Sequence, residues 1–154
     1  MFAYLAGFVV QAAIAKPVQV VGPGYEGAII SVEARLSSDP RHRLSSADMW
    51  TPNDADVRAA EQLLPSYINS PGARLRGTRI RSELARYRRQ YWGVNRNGRR
   101  EILIQFFHED TAVGQKGIWR REPVTVRGGG DQFFRIVYRA QERRFSGLQV
   151  NAPE

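Results

Sequence analysis

The sequence predicts an α+β domain with one main helix packed across a curved antiparallel meander sheet of four to five strands. Three observations carry this expectation. The stretch 124–151 reads as short β-prone runs (Val124-Thr-Val126, Phe133-Phe-Arg-Ile-Val-Tyr138 and Phe145-Ser-Gly-Leu-Gln-Val150) separated by Arg127-Gly-Gly-Gly-Asp131 and Gln141-Glu-Arg-Arg144. This is the sequence form of antiparallel strands joined by tight turns. Asn97-Gly98, between two further β-prone runs, is a hairpin signal because both residues tolerate positive φ. One clear helix start, Thr51-Pro-Asn-Asp54, opens an apolar stripe at helical spacing.

Residues 1–15 are apolar apart from Gln11 and end in Ala13-Ile14-Ala15 before Lys16-Pro17. Small residues in that arrangement after an apolar run resemble a signal-peptide core and its cleavage site. The run is shorter than the ~20 residues a membrane-spanning helix needs, and no Lys or Arg precedes it. The segment is expected to be an export leader or, failing that, a retained N-terminal helix, either packed and buried like an ordinary helix or serving as a membrane anchor. Residues 16–154 then form one α+β domain. Two short strands follow, Val18 to Val21 and Ala28 to Ala34, around Gly22-Pro-Gly-Tyr-Glu-Gly27. The glycine spacing matches a dinucleotide-binding turn, but that motif needs a helix behind it and β-branched residues follow instead. A simple turn is expected. Residues 37–46 are polar and read as a loop.

Trp50 is expected as a packing anchor before the helix, with Thr51 as its cap and Pro52 at its first position. Val57, Ala60, Leu64 and Tyr67 form one stripe. Pro65 is expected to end or kink the helix near Leu64. The acidic residues of the segment suit the positive end of the helix dipole rather than a metal. After a loop over 69–77, strands are expected near 86–94, 101–108, 123–127, 132–139 and 145–150. The 101–108 run is apolar on both faces, so it reads as central. Residues 109–116 read as a polar loop, and Trp119 is expected to open the last part of the sheet.

At 154 residues the chain suits one domain with a real core. It contains no cysteine, which excludes disulfides and thiolate chemistry. The net charge of +8 is unevenly spread. Between Arg74 and Arg144 lie 18 Lys/Arg and 7 Asp/Glu, while the remainder carries 5 basic and 8 acidic residues. All but Lys16 and Lys116 of the basic residues are arginine, whose planar fork suits carboxylate and phosphate.

No Walker loop, nucleophile elbow or His-Glu-x-x-His motif occurs. The two histidines are far apart, and His108-Glu109-Asp110 reads as a strand end rather than a metal site, because adjacent strand residues point oppositely. Gly128-Gly-Gly-Asp131 resembles an anion-cradling nest but sits where a turn sets strand register. No cofactor is expected. The constellation with chemical content is basic and aromatic: Arg86, Tyr87, Arg88, Arg89, Tyr91, Trp92, Arg96, Arg99 and Arg100 on one hairpin. From it, Arg88, Arg89, Trp92, Arg96, Arg99 and Arg100 are the candidate anion- or partner-binding residues. Alternation gives the competing expectation, in which Tyr87 and Tyr91 pack on the helix while Arg86, Arg88 and Gln90 face water.

Tyr87-Arg-Arg-Gln-Tyr-Trp-Gly93, Gly129-Gly-Asp131 with Phe133-Phe134, and Phe145-Ser-Gly-Leu-Gln-Val-Asn151 together resemble a family of small exported bacterial proteins. In that family a helix packs on an antiparallel sheet, as in cystatin-like or nuclear-transport-factor-like domains. The resemblance runs from Trp50 to the end, its motifs are structural, and it implies no activity, substrate or cofactor. The expected function is therefore a non-enzymatic exported domain, periplasmic or secreted, whose basic surface binds an unknown protein or an anionic envelope component. An exported protein rarely meets nucleic acid, which argues against that partner. Two alternatives remain: a structural subunit of an envelope or membrane assembly with the N-terminal segment retained, and a small-molecule pocket protein or enzyme of the nuclear-transport-factor-like type.

Overall fold

The computed structural model describes residues 16–39, 43 and 45–153, so the expectations for the leader, for His42 and for part of the 37–46 loop lie outside the described residues. The protein is α+β, with a seven-stranded, mostly antiparallel sheet and four α-helices among those residues. The strands are β1 (Val18–Gly22), β2 (Tyr25–Ile29), β3 (Met49–Trp50), β4 (Tyr87–Arg96), β5 (Arg99–His108), β6 (Phe133–Arg139) and β7 (Arg144–Val150). The helices are α1 (Val32–Ser37), α2 (Asp54–Asn69), α3 (Ile80–Glu83) and α4 (Ala112–Lys116). None of these helices is long and apolar enough to cross a membrane.

The meander is present as β4-β5-β6-β7, each strand antiparallel to the next. The sheet is wider than the four to five strands expected, because the β1–β2 hairpin joins it through a parallel pairing of β2 with β4. Residues 30–86 form the long crossover that such a parallel pairing requires. The two-residue β3 extends the same side of β4.

The two faces of the sheet have different covers. On one face Tyr87, Tyr91, Ile102, Ile104, Phe106, Phe134, Ile136 and Tyr138 pack against Val57, Ala60, Leu64 and Ile68 of α2. On the other, Trp92, Phe107 and Phe133 pack against Ala34 of α1 and against Trp119 and Val124. Two-sided burial explains why β5 alternates between two apolar sets.

Several local expectations are corrected. The helix cap is Asn53, not Thr51: its side chain accepts from the Asp56 N–H at 2.9 Å, and the Asp56 carboxylate accepts from the Asn53 N–H at 2.9 Å, a reciprocal box. Thr51 instead accepts from the N–H of Val32 at 3.1 Å, tying α2's approach to the start of α1. Pro65 lies inside α2, which runs on to Asn69. Its missing N–H removes one i→i−4 bond, but Ile68, fully buried beyond it, holds the last turn on the core. The second strand begins and ends earlier than expected. Ser31 caps Ala34, so Val32 to Ala34 turn into α1 instead of extending the strand.

Residues 123–127 are not a strand, and Trp119 sits in a 3₁₀ turn that opens no part of the sheet. Both lie over the outer face as a cover. Residues 112–116 of the expected polar loop form α4, capped by the Thr111 hydroxyl.

Candidate anion-binding rim

The β4–β5 hairpin closes with a two-residue turn in which Asn97 and Gly98 have φ of 52° and 73°, the positive values a type I′ turn requires. The β6–β7 hairpin closes through residues 140–143, with Arg143 at φ 52°. The Ala140 N–H donates to the Arg100 carbonyl at 3.4 Å, so the two hairpin tips stand side by side. This brings Arg96, Arg99 and Arg100 next to Arg139, Arg143 and Arg144 along one rim.

Two glutamates partner this rim. Glu101, with 4% of its side chain exposed, lies 3.3 Å from Arg139 and 3.7 Å from Arg96. Glu142 lies 3.2 Å from Arg99 and 3.7 Å from Arg139. Arg100 stacks over the Trp50 ring at 4.5 Å. Arg143 and Arg144 are exposed. Six arginines against two carboxylates leave a strongly positive edge. Exposed ion pairs such as Arg99–Glu142 contribute only ~0–1 kcal/mol, so Arg99, like the exposed Arg143 and Arg144, is readily aimed at an incoming anion, while Arg139 stays with the buried Glu101 carboxylate.

The other three candidates lie elsewhere. Arg88 is held between Glu26 at 3.6 Å and Glu109 at 3.0 Å. Trp92 is 5% exposed, beneath the Arg35 guanidinium. Arg89 is 1% exposed, on the α2 face. Its Nε lies 2.9 Å from the Glu61 carboxylate, and its terminal nitrogens donate to the carbonyls of Tyr87 at 2.6 Å and Leu84 at 3.4 Å. The Tyr91 hydroxyl donates to Glu61 at 2.7 Å. Arg89 is thus part of the interior and does not face a partner. The water-facing arrangement also needs correcting at Gln90, which is fully buried. Its amide nitrogen donates to the carbonyls of Trp119 at 2.7 Å and Glu122 at 2.6 Å, and its oxygen accepts from the Val124 N–H at 2.9 Å.

The strand end at His108 is a closed polar unit. His108 is fully buried and its Nε2 lies 2.8 Å from Glu83. The Asp110 N–H donates to Nδ1 at 3.3 Å. Glu109 and Asp110 turn to Arg86, at 2.7 and 3.0 Å, and the Arg86 hydrogen bond holds Glu109 below its ordinary pKa. Among the described residues no three His, Asp or Glu side chains gather around a possible metal position.

Some of these residues were within reach of sequence reasoning. Glu61 interrupts the apolar stripe at Val57+4, and Arg89 occupies the middle of Tyr87-x-Arg89-x-Tyr91, on the aromatic face. Opposite charges at two such positions are the signal for a buried pair. Arg139, Arg143 and Arg144 had no such signal, because only the pairing of β5 with β6 brings their turn to the other tip. Set against known protein families, curated proteins and solved structures, the chain matches none of them.

Proposed function

We propose that this domain is a non-enzymatic partner-binding module, exported to the periplasm or beyond, that engages an acidic protein surface through the paired hairpin tips. One observation carries the reading: the two turns are joined at Arg100 and Ala140, and they present Arg96, Arg99, Arg100, Arg139, Arg143 and Arg144, with Glu101 and Glu142 as their carboxylate partners among the described residues. Arginine forks suit carboxylates in pairs. The finer architecture we assign is a single main helix laid across a curved meander, in the manner of cystatin-like or nuclear-transport-factor-like domains. The sixteen-residue α2 crossing β4 to β7 supports it.

Labelled polyglutamate tests the surface. Anisotropy titrations across a salt series should show binding that weakens steeply with ionic strength. Charge reversal at Arg99, Arg143 and Arg144 together should weaken it by at least about tenfold. Binding unchanged by the triple variant would reject the rim. Tighter retention on phosphatidylglycerol vesicles than on polyglutamate would move the partner from protein to an anionic envelope component. The export part of the proposal rests on the apolar run 1–15 and is tested by mass spectrometry of the mature N-terminus. A native chain that still begins at Met1 would reject cleavage.

A further inference from the structure

The outer sheet face carries a row of polar side chains in register across four strands: Gln90, Gln105, Arg135 and Gln149. Gln90 is committed to the covering segment. Arg135 donates through Nε and one terminal nitrogen to the Gln149 side-chain oxygen at 3.0 and 2.5 Å. Between this row, α1 and the covering segment lies a cavity of about 130 Å³. Arg35, Gln105, Thr125 and Arg135 reach its lining, Trp92 contributes an apolar wall, and among the described residues no Asp or Glu lines it.

Arg35 is the unusual member. Its guanidinium lies 5.0 Å from the centre of the Trp92 ring, and its Nε is buried without a hydrogen bond. Burial pushes this guanidinium below its ordinary pKa, with Asp39 acting in the opposite direction. A desolvated cation stacked on an aromatic face is favourable, but an unfilled N–H inside the protein is costly. Arg135, exposed and held on Gln149, brings a second guanidinium to the same lining. An anion in the cavity supplies the acceptor that the Arg35 N–H lacks.

The dimensions narrow the class. Ligand pockets for drug-sized molecules run to roughly 300–1,000 Å³, and this cavity, at about 130 Å³, lies well below that range. Its donors come from four separate segments: Arg35 from α1, Gln105 from β5, Arg135 from β6, and Thr125 from the cover. Donors placed on several sides of one small cavity suit an ion with three or four acceptor oxygens better than a planar carboxylate.

We propose that this cavity binds a single small oxyanion of the phosphate class, with Arg35 and Arg135 as charged donors and Gln105 and Thr125 as neutral ones. The site does not depend on the arginine rim, and the two readings fail independently.

The test is an NMR titration of the intact domain with inorganic phosphate, following the Trp92 indole and the arginine Nε–H signals. Saturable shifts at Trp92 and Arg35 are expected. Arg35→Gln should weaken phosphate binding by roughly tenfold or more, and Gln105→Leu should weaken it less. Arg76→Gln, in an open cleft elsewhere, and the triple rim variant should leave it unchanged. Gln105→Leu and Thr125→Val keep the proposal testable if Arg35→Gln does not fold. No saturable shift at Trp92 would overturn the site, as would shifts that Arg35→Gln leaves intact. Sulfate should compete with phosphate, and acetate binding as tightly would overturn the phosphate class in favour of a partner's carboxylate.

Discussion

Arg89 and Glu61 meet 2.9 Å apart between α2 and the sheet, with 1% and 4% of their side chains exposed. Tyr91 adds a hydrogen bond from β4 to the same carboxylate. One helix residue thus receives two strand residues, and the pair fixes the rotation and height of α2 on the sheet. Removing one partner leaves an uncompensated buried charge, so Arg89→Met alone or Glu61→Leu alone should cost about 3–5 kcal/mol. The double replacement should cost far less than the sum, and a denaturant-unfolding double-mutant cycle reads the difference. Strict additivity would show that the two charges act separately.

Burial pushes the Glu61 pKa up, opposed by Arg89 and by the Tyr91 hydroxyl, and the net direction is upward. The folded state therefore keeps this proton to higher pH than the unfolded chain does. The stability Glu61 contributes is fully present below the unfolded carboxyl value of ~4.3 and is lost as pH rises through the folded value. Glu61→Gln should remove that part of the slope from a stability–pH curve measured by urea unfolding. An identical slope in the variant would assign it to other groups.

Tyr87 and Tyr91 are both pushed above the ordinary phenol pKa, chiefly by burial, with Asp131 and Glu61 adding in the same direction. Their contribution is present below pH ~10 and is lost as the pH rises through the folded values. In a base titration followed by phenolate absorbance, neither should ionise before the chain unfolds. Tyr87→Phe and Tyr91→Phe should then leave the step before unfolding unchanged, and a smaller early step in either variant would contradict the assignment.

Gln90→Leu should release the outer cover. Its loss leaves the Trp119 and Glu122 carbonyls and the Val124 N–H without their partner, each costing roughly 1–3 kcal/mol where it stays buried. Hydrogen exchange at Val124 should accelerate while the β4–β5 ladder stays protected. Unaltered exchange at Val124 would show that the apolar contacts of Trp119 suffice to hold the segment.

Gly93→Ala should destabilise by about 1–3 kcal/mol or more. A Cβ there would stand 2.4 Å from the Trp50 carbonyl oxygen and 2.5 Å from its ring. Trp50 cannot withdraw easily, since its indole N–H donates to the carbonyls of Val94 and Glu101 at 3.3 and 3.2 Å. A thermal melt matching the parent would show that β3 moves away freely.

Local signals served well where neighbours in sequence are neighbours in space. Asn97-Gly98 fixes its own turn, and that turn fixes the register of β4 on β5 from Arg96↔Arg99 to Tyr87↔His108. The alternation of residues 101–108 is correctly that of a central strand. Val124-Thr-Val126 misled because β propensity describes a side chain's fit to a half-buried surface. Here that surface is the back of the sheet, and the Val124 N–H bonds a glutamine side chain instead of a ladder partner.

By itself the sequence determined the α+β class, the mostly antiparallel sheet, a helix beginning just after Trp50, the aromatic face built from Tyr87 and Tyr91 and the concentration of arginine after residue 74. Only the tertiary structure decided which arginines face outward. It buried Arg89 against Glu61, caught Arg88 between two glutamates, and gathered Arg96, Arg99 and Arg100 with three arginines some forty residues later. It also added the parallel β2–β4 pairing and the second cover. The physical reason is the same in each case: periodicity assigns a side chain to a face, but what lies over that face is set by segments distant in the chain.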